Sequence, residues 1–244
     1  MNILFTCGGT AGHVTPNIAL IPELKKRGFE IHYIGSKTGI EKELIGNFDI
    51  PYYGISSGKL RRYFDVKNFT DPFRILKGYS EAKKLIKKIK PDVIFSKGGF
   101  VTVPVVKAAS RQKVPCVLHE SDISPGLANR LCIPSATAIC ANFPETIANL
   151  PEDKAYLTGT PIRSELFSGN RLKGLDFCGF TANKPVILVI GGSLGSVRVN
   201  EAVREILPKL LEKYQVIHLC GKDKVDESLK QTEGYVQFEY IQKE

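Results

Sequence analysis

The 244-residue chain is predicted to be a soluble α/β protein of two related halves with mainly parallel sheets, and three observations carry that expectation. Apolar strand-like runs alternate with helix-like segments, the pattern of βαβ units. A glycine turn, Cys7-Gly8-Gly9-Thr10-Ala11-Gly12-His13, follows the apolar run Ile3-Leu4-Phe5 and precedes a helix-like segment that ends near Gly28. A second turn of the same make, Gly191-Gly192-Ser193-Leu194-Gly195-Ser196, follows Val186-Ile187-Leu188-Val189-Ile190 and opens another helix pattern.

Taken in order, strands are expected near residues 2–6, 30–34, 52–56, 93–96, 116–119, 136–141 and 155–158. Residues 159–184 are rich in Gly, Pro, Asn and Ser and read as an interdomain connection. A second series starts at Pro185, with strands at 186–190, 216–219 and 235–240. Three strands and two helices would leave a parallel sheet with an uncovered edge, so this half is expected to be a fragment of a longer protein, completion by a partner being the alternative. A third Gly-Gly turn, Ser96-Lys97-Gly98-Gly99-Phe100, also follows a strand and precedes a helix pattern. In open α/β sheets such turns lie at the carboxyl ends of the strands, where ligands bind.

Composition narrows the function classes. At 43% hydrophobic the chain can bury one large or two smaller cores, and it lacks both an apolar run of about 18 residues and a leader pattern, so a cytosolic protein is expected. Six cysteines without a Cys-x-x-Cys pair, several in or beside apolar strand patterns, are expected as buried free thiols. A balance of 34 Lys+Arg against 25 Asp+Glu, net +9, favours an anionic partner. Nucleic acid is disfavoured, because no aromatic-basic sheet motif or zinc-finger pattern occurs.

The first glycine turn lets backbone approach a ligand, and the helix after it presents free N–H groups with partial positive charge; a plain tight turn is the alternative. A dinucleotide fingerprint fits poorly, since Cys7 stands where glycine is needed and no acid follows the second strand at Ile34-Gly35-Ser36. His13 stands where turn becomes helix and can donate, accept or carry a proton. His119-Glu120-Ser121-Asp122 brings an imidazole and two carboxylates to the same edge, as a source of a general base or as a helix cap with Ser124 and Pro125. Arg163, in Gly159-Thr160-Pro161-Ile162-Arg163, is either a clamp for a diphosphate or a solvated arginine.

Asp71-Pro72 reads as an N-cap and first helical position, opening a helix to about Lys90. At about 100° per residue, Ile75, Ala82, Leu85, Ile86 and Ile89 share a core face. Phe73 and Leu76 fall opposite, beside Lys83 and Lys87, with Lys59, Arg61, Arg62, Tyr63, Phe64, Lys67 and Phe69 preceding them. An aromatic stripe rimmed by cations suits an anionic membrane surface; packing of those aromatics under the 57–70 loop is the alternative.

These motifs together resemble the MurG glycosyltransferases: Gly8-Gly9-Thr10-Ala11-Gly12-His13, Gly98-Gly99-Phe100-Val101, His119-Glu120-Ser121-Asp122, Gly159-Thr160-Pro161-Ile162-Arg163 and Gly191-Gly192-Ser193-Leu194-Gly195 occur in the family's order over nearly the whole chain. The resemblance implies a GT-B fold of two Rossmann-like domains. Residues 1–163 would form the acceptor- and membrane-binding domain, 164–184 a linker and 185–244 part of the donor-binding domain. The implied activity is inverting transfer of N-acetylglucosamine from UDP-N-acetylglucosamine to the muramyl 4-hydroxyl of the undecaprenyl-diphosphate-linked pentapeptide precursor, at the cytoplasmic face of the membrane. A truncated module that binds lipid diphosphate or anionic membrane without catalysis is the alternative.

By the same resemblance, Gly8, Gly9, His13, Gly98, Gly99 and Phe100 are acceptor-side residues. Thr10, Ala11, Gly12, Asp122, Arg163, Ser193 and Ile241 are donor-side residues, with Ile241 meeting the uracil through its backbone. His13 and then Asp122 are the base candidates. Many members carry Asn where this chain has Asp122, which changes how a sugar hydroxyl is held or makes Asp122 itself a base. No Asp-x-Asp pair is present to hold a metal on the diphosphate, so helix dipoles and Arg163 are expected to serve there, and no motif requires a cofactor.

Overall fold

A computed structural model of the chain describes residues 1–58, 67–192 and 195–241, with backbone alone for residues 67–72. Arg61, Arg62 and Ser193 lie outside the described residues, as do Lys59, Tyr63, Phe64 and the side chains of Lys67 and Phe69. The chain divides into two compact units, Met1–Phe167 and Ser168–Glu244.

In the first unit, β1 (Asn2–Cys7), β2 (Glu30–Ser36), β3 (Tyr52–Ile55), β4 (Val93–Gly98), β5 (Cys116–Glu120), β6 (Ala138–Ala141) and β7 (Ala155–Leu157) form one parallel sheet. Its order is β3-β2-β1-β4-β5-β6-β7, so the direction of winding reverses between β1 and β4. The helices are α1 (Ala11–Lys26), α2 (Ile40–Gly46), α3 (Lys67–Ile89), α4 (Thr102–Arg111), α5 (Leu127–Cys132) and α6 (Pro144–Ile147).

The strands read as unbroken apolar runs because both faces of the sheet are covered. Ile3, Phe5, Ile31 and Tyr33 pack with Val14 and Ile21 of α1 and Ile45 of α2. The alternate residues Leu4, Ile34 and Ile94 pack with Ala82, Ile86 and Ile89 of α3 and Val105 and Ala109 of α4. Each fully buried Leu, Ile, Val or Phe among them contributes about 1.5–3 kcal/mol, and shifting a strand by one residue would exchange the two faces throughout.

The core face expected for α3 is observed: Ala82, Ile86 and Ile89 are buried, Ile75 and Leu85 partly so. Phe73 and Leu76 stay 75% and 66% exposed, with Lys83 and Lys87 exposed near them. The helix begins at Lys67, one turn before the start expected from Asp71-Pro72. Proline forgoes a single backbone bond and does not by itself start a helix, so the pair misplaced the boundary. All six cysteines are free, and Cys7, Cys116, Cys132 and Cys220 are buried.

In the second unit, β8 (Val186–Ile190), β9 (Gln215–Leu219) and β10 (Tyr235–Phe238) form a parallel sheet in the order β10-β9-β8. The stretch 164–184, expected as a connection, contains the helix α7 (Arg171–Cys178), capped by the Asn170 side chain and closed by Gly179 in the left-handed region. The long helix α8 (Val197–Lys213) joins β8 to β9 and brings Leu207, Leu210 and Leu211 against Ile187, Val189 and Val216. Between β9 and β10, where a second helix was expected, a loop with one 3-10 turn at Glu227–Leu229 makes the connection. Leu188 and Ile190, on the other face of β8, remain 56% and 58% exposed.

Candidate active site

The switch point between β1 and β4 brings the first and third glycine turns side by side. Gly8 N–H donates to the Gly98 carbonyl at 3.4 Å, and the pairing slips by one residue at Thr6/Cys7 to allow it. Gly99 has φ +90°, and a Cβ there would overlap the Gly8 carbonyl oxygen. Glycine is therefore required twice over, by backbone conformation and by the approach of a second backbone.

Helix α1 starts directly from this turn. Thr10 is its N-cap in extended conformation and makes no side-chain capping bond; the His13 N–H donates to the Thr10 carbonyl at 3.1 Å, and the Ala11 and Gly12 N–H groups keep their capacity for an external acceptor. Thr10 and Gly12 are exposed, Ala11 and His13 half-buried. Behind the turn lies Glu41 of α2, fully buried. Its carboxylate accepts from Ser36 N–H at 2.8 Å, Ser36 Oγ at 2.6 Å and Gly9 N–H at 3.4 Å. Glu41 thereby anchors the turn to the end of β2.

The loop after β5 forms the neighbouring wall. Glu120 is 5% exposed, and its carboxylate accepts from Ser121 N–H (2.8 Å), Asp122 N–H (2.9 Å), Gly126 N–H (3.0 Å) and Asn129 Nδ2 (2.8 Å). With both oxygens so engaged, Glu120 organises the loop and is not available as a base. Asp122 is exposed, held through its backbone by Glu120 and by Thr146 Oγ1, which donates to the Asp122 carbonyl at 2.9 Å. The capping alternative for Asp122 and Ser124 fails: the N-cap of α5 is Gly126, with no side-chain bond.

His13 and Asp122 come within electrostatic reach of each other. Burial, and then the Lys97 ammonium, push the His13 imidazole below its ordinary value, while Asp122, Glu120 and a backbone hydrogen bond at Lys97 oppose the shift. His13 is thus held as the neutral imidazole, able to accept a proton. His119 is 2% exposed and pairs through Nε2 with the Gly159 carbonyl at 3.0 Å. It fastens the segment that leads to Arg163 and has no open path to a ligand. Arg163 is exposed, and Phe100 is half-buried beside the third turn.

In the second unit the glycine turn sits at the end of β8. Gly192 and Gly195 have φ +81° and +66°, Gly195 N–H donates to the Gly192 carbonyl at 3.0 Å, and Ser196 Oγ accepts from Val199 N–H at 3.4 Å. A Cβ on Gly195 would overlap the Cys220 carbonyl, so this glycine too is set by a neighbouring backbone. Ile241 follows β10 and is half-buried.

Residue patterns alone did not single out Glu41 or Lys97. Glu41 carries no local signal, since it meets the turn only through folding. Lys97 did carry one: a lysine at the end of a central strand, after Val93-Ile94-Phe95-Ser96 and directly before Gly98-Gly99.

The chain matches two family models, the glycosyltransferase family 28 N-terminal domain over residues 3–141 and its C-terminal domain over residues 186–243. A curated relative from Lachnoclostridium phytofermentans, named UDP-N-acetylglucosamine–N-acetylmuramyl-(pentapeptide) pyrophosphoryl-undecaprenol N-acetylglucosamine transferase, is 70% identical over 98% of this chain and 67% of its own length. A relative of the same name from Clostridium botulinum is 60% identical over 99% of the chain and 68% of its own length. The chain thus spans about two thirds of the length of these relatives. Among solved structures, Acinetobacter baumannii MurG aligns with TM-score 0.71 and 27% identity over 98% of this chain and 66% of that one. A UDP-GlcNAc 2-epimerase from Methanocaldococcus jannaschii shares the fold, with TM-score 0.66 and 14% identity over 99% of this chain and 74% of that one.

Proposed function

Because the chain belongs to glycosyltransferase family 28, we propose that it carries the acceptor-binding unit and part of the donor-binding unit of an inverting N-acetylglucosaminyltransferase. The donor is UDP-N-acetylglucosamine and the acceptor the undecaprenyl-diphosphate-linked N-acetylmuramyl-pentapeptide. The observation that carries the reading is the convergence of Gly8, Gly9, Gly98, Gly99, His13 and Asp122 at the switch point of the sheet, under an uncapped helix start.

In the reaction, the muramyl 4-hydroxyl oxygen attacks the anomeric carbon of the donor sugar, a β-1,4 bond forms, and the bond to the diphosphate breaks with its electron pair leaving on UDP. His13 takes the hydroxyl proton, with Asp122 beside it to stabilise the imidazolium or to act as base in its place. The Ala11 and Gly12 N–H groups at the start of α1 stabilise negative charge at the reacting centre. Arg163 is the diphosphate contact offered by the first unit, and Ser193 and the backbone at Ile241 are the donor contacts offered by the second.

The exposed Phe73 and Leu76, with Lys83 and Lys87, form the contact with an anionic membrane, where the lipid acceptor resides. No helix among the described residues is long and apolar enough to cross a membrane. A second reading, a module that binds lipid diphosphate without catalysis, draws on the three-stranded sheet of the second unit and its bare Leu188 and Ile190.

A transfer assay with radiolabelled donor and a short-chain lipid acceptor separates the two. Turnover by residues 1–244 removes the second reading. In the longer relative, substitution equivalent to His13→Ala should lower kcat far more than acceptor affinity, on the order of 10²-fold or more for loss of a general base; unchanged turnover removes His13 from this role.

A further inference from the structure

Lys97 is 1% exposed, on the central strand β4, at a position where a methionine or leucine would pack without desolvating a charge. Its ammonium donates to Ser121 Oγ, across the gap between the third glycine turn and the loop that carries Asp122. Burial works against its charge, and Glu120, then Cys7 and Asp122, favour it; yet the Glu120 oxygens accept their four hydrogen bonds from that loop and Asn129, and the ammonium is directed to Ser121. A substrate cannot reach it, since it lies beneath the turns. A buried cation is costly to keep, and what it touches indicates its use.

We propose that Lys97 is a positioning residue of this site, its ammonium tying the Ser121–Asp122 loop to the floor of the glycine turns on which His13 stands. The proposal rests on the reading of His13 as base. The groups that face the pair are Cys7 from β1, Lys97 itself from β4, His119 from β5, and Glu120 and Asp122 from the end of β5. Among them Lys97 alone opposes a proton on His13. The carboxylates would otherwise draw one there, as carboxylates beside a histidine do. Lys97 thereby lets the site place Asp122 next to its base without holding that base in the protonated, inactive form.

Histidine NMR titration of the chain tests this without any substrate, with the His13 signal assigned by its loss in His13→Gln. In Lys97→Met, which conserves volume, the His13 midpoint should rise by on the order of 0.5 pH unit. His218, in the other unit, should not move. Lys97→Gln keeps an N–H donor for Ser121 and should raise the His13 midpoint as well. In the parent protein the Lys97 Nζ resonance should shift through the His13 titration, because such coupling is reciprocal. A His13 midpoint unmoved in a folded variant, or a Lys97 signal flat across the His13 titration, overturns the proposal. Because these readouts need no catalysis, they can fail while the transfer assay succeeds, and the reverse.

Discussion

Substitution of Gly99 by alanine is the sharpest probe of how the site is built. Gly99 has φ +90°, which costs an L-residue about 1–3 kcal/mol. The new Cβ would also overlap the Gly8 carbonyl oxygen and lie 3.0 Å from its carbon and 3.2 Å from its nitrogen. The obstacle is backbone, fixed on one side by β1 and on the other by the Glu41 carboxylate behind Gly9, so it cannot swing away as a flexible side chain would. Overpacking of this kind adds about 1–3 kcal/mol, for a total of roughly 2–6 kcal/mol.

Gly9→Ala is the control. Its φ is +102°, but nothing lies within 4 Å of the added Cβ, so only the conformational cost applies. With an m-value of about 2 kcal/mol/M in urea, the midpoint should fall by roughly 1–3 M for Gly99→Ala and by roughly 0.5–1.5 M for Gly9→Ala. Pulsed hydrogen exchange of peptides from β1 and β4 along the urea series follows the first unit separately from the second. If Gly99→Ala is no less stable than Gly9→Ala, the two glycine turns do not pack backbone to backbone as described.

Acidification from pH 8 to pH 5.5 should destabilise the chain. His13, His119 and His218 all have imidazoles held below their ordinary value, burial being the largest cause in each. The unfolded chain therefore binds more protons as pH falls through about 6.5, and stability present at pH 8 is progressively lost by pH 5.5. Equal urea midpoints at the two pH values would contradict this. At the surface of α3, Phe73→Ser with Leu76→Ser should weaken binding to anionic vesicles at least several-fold in a sedimentation assay, since two large apolar side chains leave the contact. Equal sedimentation of variant and parent would count against the membrane role.

The architecture was legible because its determinants are local. An unbroken apolar run such as Ile3-Leu4-Phe5, a Gly-Gly turn and a helical period recur within a few residues of one another, and each of the ten strands among the described residues overlaps a stretch expected as strand. The same locality shows in α3, where Ala82, Ile86 and Ile89 are spaced to share one face and do so. The motifs His13, Gly98-Gly99 and His119-Glu120-Ser121-Asp122 were likewise visible, since each sits at a strand end.

Only the tertiary structure assigned the parts within those motifs. Glu120 and Asp122 are both acids at the end of β5, yet one is spent on four hydrogen bonds and the other stands open, a difference set by where the backbone turns. His119 is turned to Gly159, forty residues on, while His13 meets Lys97 from another strand. Glu41 reaches Gly9 across thirty-two residues of chain. A hydrogen bond or a charge acts over a few ångströms of space, whatever the separation along the chain. The sequence by itself therefore named the sheet edge where the candidate site lies, and the packing around β4 and β5 decided which of its charged groups are buried and held and which stand exposed.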